Sequence, residues 1–183
     1  DQYAAAYGGL NFIRFNQDGS VSVEPIVMQP GTYKELEKHL VMFYTGNTRS
    51  ANSILKEQKK NIDDAAKAEN LKRMCHLAEQ MKGALEQNDL SSFGELLNDG
   101  WALKRTLASG ISNPAIDEAY EIAMKNGALG GKLLGAGGGG FLLFFCEPEK
   151  QEQLRVALGL RRFDFSFERD GASVVYIGDK YWG

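Results

Sequence analysis

The chain has 183 residues, 43% of them hydrophobic and 25% charged, the proportions of one soluble globular domain. Its net charge of −3 speaks against a nucleic-acid surface as its main business. No apolar run is long enough to span a bilayer and no secretory leader is recognisable, so no membrane partner is expected. Cys75 and Cys146 stand far apart and read as free thiols of a reducing cytoplasm. With only His39 and His76 beside them, they form no spaced ligand set, and no metal site is expected. The first residue is Asp1 and not methionine, from which a piece of a longer protein is expected.

Asp1-Gln-Tyr-Ala-Ala-Ala-Tyr-Gly-Gly9 reads as a short alanine-rich helix end stopped by glycine. Leu10–Phe15 and Val21–Ile26 alternate as strands, and Asn16-Gln-Asp-Gly19 between them supplies hairpin turn chemistry. After Pro30-Gly31, the run His39–Tyr44 predicts a buried strand. It enters Thr45-Gly-Asn-Thr-Arg-Ser50, a polar loop before a helix. Two readings of that loop stand level. Either Ser50 or Asn47 caps the helix, or Thr45, Gly46 and Arg49 line a substrate cleft at the strand's end.

Ala51–Gln87 has helical spacing, with Leu71, Met74, Leu77, Ala78, Met81 and Leu85 on one face. Asn61–Asp64 interrupts it, an aspartate capping the second piece. A further helix is predicted over Asp89–Ser109, burying Leu90, Phe93, Leu97, Trp101 and Leu107. Next comes a full set of helix signals: Asn113 at the N-cap, Pro114 at the first position, Asp117 and Glu118 in the first turn, Gly127 past the end. Beyond Cys146, Pro148 opens a helix to Leu158. Phe163, Phe165 and Phe167 then alternate as a strand, and Arg169-Asp-Gly171 turns into Ala172–Ile177.

Between these helices lies the chain's most unusual stretch. Seven of the 21 glycines fall between Gly130 and Gly140, flanked by the apolar runs Lys132-Leu-Leu134 and Phe141–Phe145. A glycine loop joining two strands is the direct reading. Four consecutive glycines, Gly137 to Gly140, exceed what a hairpin turn requires, so something approaches this backbone closely. Unhindered consecutive amides can also curl around an anion, usually phosphate. The letters Gly135-Ala-Gly-Gly-Gly-Gly140 satisfy G-x-G-x-x-G, but the β-prone run that follows is no dinucleotide-binding helix. A protein-kinase glycine loop is excluded by the missing Val-Ala-Ile-Lys, His-Arg-Asp and Asp-Phe-Gly elements.

Lys132-Leu-Leu-Gly-Ala-Gly-Gly-Gly-Gly-Phe141 resembles the third motif of the GHMP kinases, the family of galactokinase and of homoserine, mevalonate and phosphomevalonate kinases. Asp1, seven residues before Gly8-Gly9 and ahead of a strand, is similar to a second family element in order and spacing. The resemblance implies an α+β, ferredoxin-like C-terminal domain with extra helices, preceded by a β-hairpin. The order strand, helices, strand, glycine loop, strand, helix, strand leads independently to a sheet with helices on one face. Residues 1–30 are then expected to end an N-terminal kinase domain, and residues 31–183 to form the C-terminal one.

The resemblance also implies phosphoryl transfer from ATP with Mg2+. Asp1 takes the proton of the accepting hydroxyl or orients that hydroxyl, and the loop Gly135, Ala136, Gly137, Gly138, Gly139 and Gly140 holds phosphate or shapes the acceptor pocket. Gly8, Gly9, Thr45, Gly46, Arg49 and Lys132 face the substrate. The family's ATP-wrapping motif, Pro-x-x-x-Gly-Leu-Gly-Ser-Ser-Ala, is absent, which places the main ATP and Mg2+ cradle in the chain's own N-terminal kinase domain and leaves the chain alone inactive. The stretches Asp1–Phe15 and Phe43–Ser50 are most similar to the branch acting on heptose 7-phosphate at its anomeric hydroxyl, with fucose and galactose kinases as the alternative. A distal phosphate needs a cation away from Asp1, for which Arg49 and Arg14 are the candidates. The expected setting is cytoplasmic carbohydrate metabolism, with a sugar phosphate as partner and a homodimer left open. A competing reading is a non-catalytic ferredoxin-like binding or dimerisation module.

Overall fold

The computed structural model describes residues 1–46, 51–61 and 64–175. The chain divides into two units, Asp1–Val27 with Ser166–Gly183, and Met28–Phe165.

In the first unit, helix α1 (Gln2–Tyr7) ends at Gly8, and strands β1 (Asn11–Phe15) and β2 (Val21–Pro25) pair antiparallel with Ile13 opposite Val23. The turn chemistry expected of Asn16–Gly19 is present: the Gly19 amide donates to the Asn16 carbonyl at 3.1 Å, with Gly19 at φ 83°. The Gly8-Gly9 pair has a packing reason. A Cβ on Gly8 would collide with the Asp170–Gly171 backbone, while the Gly9 amide donates to the Glu168 carbonyl at 2.8 Å.

The second unit contains α2 (Pro30–His39), β3 (Leu40–Tyr44), α3 (Ala51–Lys60), α4 (Ala65–Glu86), α5 (Leu90–Arg105) and α6 (Pro114–Lys125), followed by β4 (Ala128–Leu133), β5 (Phe141–Cys146), α7 (Gln151–Leu158) and β6 (Arg161–Phe163). Its four strands form one antiparallel sheet in the order β4-β5-β3-β6. In chain order that is second, third, first, fourth, the ferredoxin-like arrangement. The α+β expectation therefore holds.

The core joins β3 and β5 to the helices. Phe43, Leu142, Phe144, Ile111 and Leu154 are fully buried, with Trp101 beside them. Each such side chain contributes roughly 1.5–3 kcal/mol by leaving water, as an upper bound. Helix starts follow the sequence signals. Asp64 accepts from the amides of Ala66 and Lys67, Asp89 from Ser92, and Asn113 from Ile116. Helix α5 lies against the edge strand β4 so closely that a Cβ on Gly130 would strike the Gly94 carbonyl.

Three expectations are corrected. Helix α2 was not foreseen, because Pro30-Gly31 reads as a turn; Pro30 instead occupies the first helical turn, where its fixed φ fits, and Leu36 is buried. Helix α5 stops at Arg105, not Ser109. The Thr106 hydroxyl donates to the Leu103 carbonyl, and the Ser109 amide and hydroxyl turn to the Glu57 carboxylate at 2.8 and 2.9 Å. Finally, neither Phe165 and Phe167 nor residues 172–175 form strand. Pairing on β3 ends with Phe163 opposite Met42, and beyond it single backbone bonds replace a ladder, as from the Ala172 amide to the Ala6 carbonyl.

Candidate active site

The glycine stretch is the connection of the antiparallel β4–β5 pair, residues 134–140. Gly135 and Gly137 to Gly140 all have positive φ, from 79° to 158°. At Gly137 two constraints coincide. Its φ is 125°, and an added Cβ would stand 2.6 Å from the Ile111 Cα. Only glycine satisfies both.

Two loop amides are committed to the protein. The Gly138 amide donates to the Ile111 carbonyl and the Gly140 amide to the Thr45 hydroxyl, both at 2.9 Å. The amides of Gly137 and Gly139 meet no acceptor among the described residues. Thr45 closes the clamp: its amide donates to the Gly140 carbonyl at 2.9 Å and its hydroxyl reaches the same oxygen at 3.0 Å. The role of Thr45 is thus to fix the loop's far end to the end of β3.

Helix α6 begins beside this loop. The Asn113 side chain caps it and lies 3.5 Å from the Gly138 carbonyl. Thr45, Asn113, Ile116, Gly138, Gly139 and Leu160 line one small cavity of about 90 Å³. The structure therefore brings Thr45, the loop and the positive end of a helix dipole together, an arrangement suited to negative charge. Gly46 follows with φ 82°, and an added Cβ would meet nothing within 4 Å among the described residues.

Lys132 takes a different position. It lines a pocket against α4 and α5 together with Lys104, whose Nζ donates to the Gly135 carbonyl at 2.6 Å. Burial lowers the Lys104 pKa to about 8, helped by the Lys132 charge, and burial lowers Lys132 as well. Lys104, Ile111 and Asn113 are site residues that the loop motif did not reveal. Asn113 was visible only as a cap, and nothing in sequence spacing ties Lys104 or Ile111 to the loop.

Asp1, Gly8 and Gly9 belong to the first unit, and Thr45, Gly46, Lys132 and the loop to the second. Asp1 is exposed and makes no capping bond to α1. Arg14 lies over the Phe12 ring, 5.2 Å from its centroid. Arg49, with the cap candidates Asn47 and Ser50, lies outside the described residues.

Residues 81–163 match the family description "GHMP kinases C terminal". This part of the chain is a GHMP kinase C-terminal domain. The match takes in α5, α6, the glycine loop and the sheet strands β4 to β6. The chain is 35% identical over 174 residues to a D-glycero-alpha-D-manno-heptose 7-phosphate kinase of Campylobacter jejuni, covering 93% of this chain and 51% of that protein. A bifunctional fucokinase/GDP-fucose pyrophosphorylase of Arabidopsis thaliana is 29% identical over 86% of this chain and 15% of its own length. A crystal structure of a D-glycero-D-manno-heptose 1-phosphate kinase from Bacteroides thetaiotaomicron superposes with TM-score 0.61 at 30% identity, covering 93% of this chain and 46% of that one. The chain thus spans about half the length of the Campylobacter and Bacteroides relatives. Mevalonate kinase from L. major, at TM-score 0.69 but 23% identity, covers 94% of this chain and 52% of its own and shares the fold of this domain. Among the described residues no helix is long and apolar enough to cross a membrane.

Proposed function

We propose that the chain is the acceptor-side half of an ATP-dependent sugar kinase that phosphorylates a heptose 7-phosphate at the anomeric hydroxyl. The observation that carries this reading is the glycine loop. Thr45 and Ile111 hold it at two points, while the Gly137 and Gly139 amides meet no acceptor among the described residues, next to the capped start of α6. Amides preset in this way stabilise charge on a phosphoryl group without reorganising during transfer.

In this reading Asp1 accepts or orients the proton of the attacking hydroxyl, and Gly8 and Gly9 set the backbone that follows it. Thr45, Gly46 and Arg49 bound the acceptor, with Arg49 or Arg14 as a fork for its distal phosphate. ATP supplies the transferred phosphoryl group. In this reading the glycine loop holds one end of the phosphate chain, and the main nucleotide cradle belongs to a preceding domain. That domain would end within residues 1–30, with residues 31–183 forming the C-terminal one. Among the described residues no three acidic, His or Cys side chains cluster as ligands for magnesium.

The choice of heptose rests on the Campylobacter relative and on the resemblance of Asp1–Phe15 and Phe43–Ser50 to that branch. The test is kcat/KM of the full-length enzyme with heptose 7-phosphate, fucose and galactose. A preference for heptose 7-phosphate supports the assignment, and a preference for an unphosphorylated sugar overturns it in favour of a fucose- or galactose-type kinase. Absence of transfer to any sugar would return the chain to a binding module.

A further inference from the structure

The second unit holds a pocket of about 180 Å³ between α4, α5 and β4 that the proposed transfer does not use. Met74, Leu77 and Met81 of α4 and Trp101 of α5 give it apolar walls, and Lys104 and Lys132 add two ammonium groups. No aspartate or glutamate stands in the lining. Among the described residues neither lysine has a carboxylate partner, and the charge that acts on Lys104 is that of Lys132.

Two like charges in an apolar wall are unfavourable twice over, through desolvation and mutual repulsion. A dianion between them would remove both penalties and accept charge-assisted hydrogen bonds from each. The apolar walls ask for more than a bare ion. The apolar face of α4 is also only half covered: Leu71, Met74, Leu77 and Met81 keep partial exposure, and Ala78 is exposed. We infer that this pocket binds a small phosphate monoester carrying an apolar body, with Lys104 and Lys132 on the phosphate and the α4–α5 walls on the body. Lys104 also holds the Gly135 carbonyl, so a ligand that engages its ammonium competes for the group that anchors the start of the glycine loop. Nothing in this site depends on the sugar-kinase assignment.

Titration calorimetry of the protein with hexyl phosphate, hexanoate, hexanol and inorganic phosphate tests it. Hexyl phosphate should bind about tenfold or more tightly than each of the other three, since one bond to a charged group alone spans that range. Equal binding of hexanol would show that the lysines do not recognise the head. Equal binding of inorganic phosphate would show that the walls are idle, and equal binding of hexanoate would show that no dianion is selected. Each of these overturns the assignment, as does no binding of hexyl phosphate at all. Lys104→Met should weaken hexyl phosphate about tenfold and leave hexanol unchanged. Should that variant fail to fold, Ala78→Phe, placed on the exposed part of the lining, fills the pocket. Undiminished hexyl phosphate affinity in a folded Ala78→Phe protein would also overturn it.

Discussion

The Thr45 hydroxyl stands between the amide and the carbonyl of Gly140, 2.9 Å from the nitrogen and 3.0 Å from the oxygen. One side chain at the end of β3 therefore fixes the last residue of the loop, while the Ile111 carbonyl fixes its middle. Thr45→Val keeps the shape and the backbone bond but removes the hydroxyl. It should lower stability by about 1 kcal/mol, the usual net value of such a bond, and reduce kcat in the full-length enzyme. Thr45→Ser should restore both. Urea unfolding beside steady-state kinetics checks it, and a Val variant with unchanged kcat would show that the clamp does not serve the transfer.

Gly137 and Gly135 differ in surroundings though not in sign of φ. Gly135→Ala meets open space and carries only the left-handed backbone penalty of about 1–2 kcal/mol. Gly137→Ala must also displace the Ile111 backbone, so its loss of stability should be the larger, and its loss of activity larger still. Melting curves of the two variants decide this. Equal destabilisation would mean that the contact with Ile111 yields freely.

The Lys104 pKa near 8 has a consequence for stability against pH. Burial disfavours the charged form, so above about pH 8 the folded chain releases a proton that the unfolded chain keeps up to the ordinary lysine range. The unfolded state binds more protons in that window, and stability must rise with pH across it. The penalty is fully present below pH 8. Relative to Lys104→Met, the wild-type protein should therefore gain stability from about pH 8 upward. Denaturant midpoints of both proteins across that range provide the measurement. Parallel curves would contradict it.

The Asp1 carboxylate makes no capping bond to α1, and the backbone bond from the Ala5 amide to the Asp1 carbonyl survives the substitution, so Asp1→Asn in the full-length enzyme should leave the melting temperature unchanged. Loss of a positioned base should lower kcat by about 10²–10⁴-fold. A variant with full kcat at saturating substrate would remove Asp1 from the chemistry.

Much of the fold was legible because its signals are local. Asp64, Asp89 and Asn113 start helices by bonds reaching two or three residues along the chain, and the two inner strands of the sheet, β3 and β5, are short apolar runs. The errors came where local and tertiary preferences part. Pro30-Gly31 is good turn chemistry and equally good first-turn chemistry, and only burial of Leu36 decides for the helix. Phe163, Phe165 and Phe167 alternate like a strand, yet pairing with β3 stops at Phe163 opposite Met42. For the site, the glycine letters marked the loop and its family. They could not tell which amides face the protein, because the partners, Ile111 and Thr45, lie 27 and 95 residues away from Gly138 and Gly140. Lys104 looked like any solvated lysine until α5 brought it to Gly135.

The most direct measurement is phosphorus NMR of the product formed by the full-length enzyme from ATP and heptose 7-phosphate. The expected result is a second sugar phosphate signal coupled to the anomeric proton, with the 7-phosphate retained. A new phosphate coupled to any other sugar proton, or no new phosphate on the sugar at all, would contradict it.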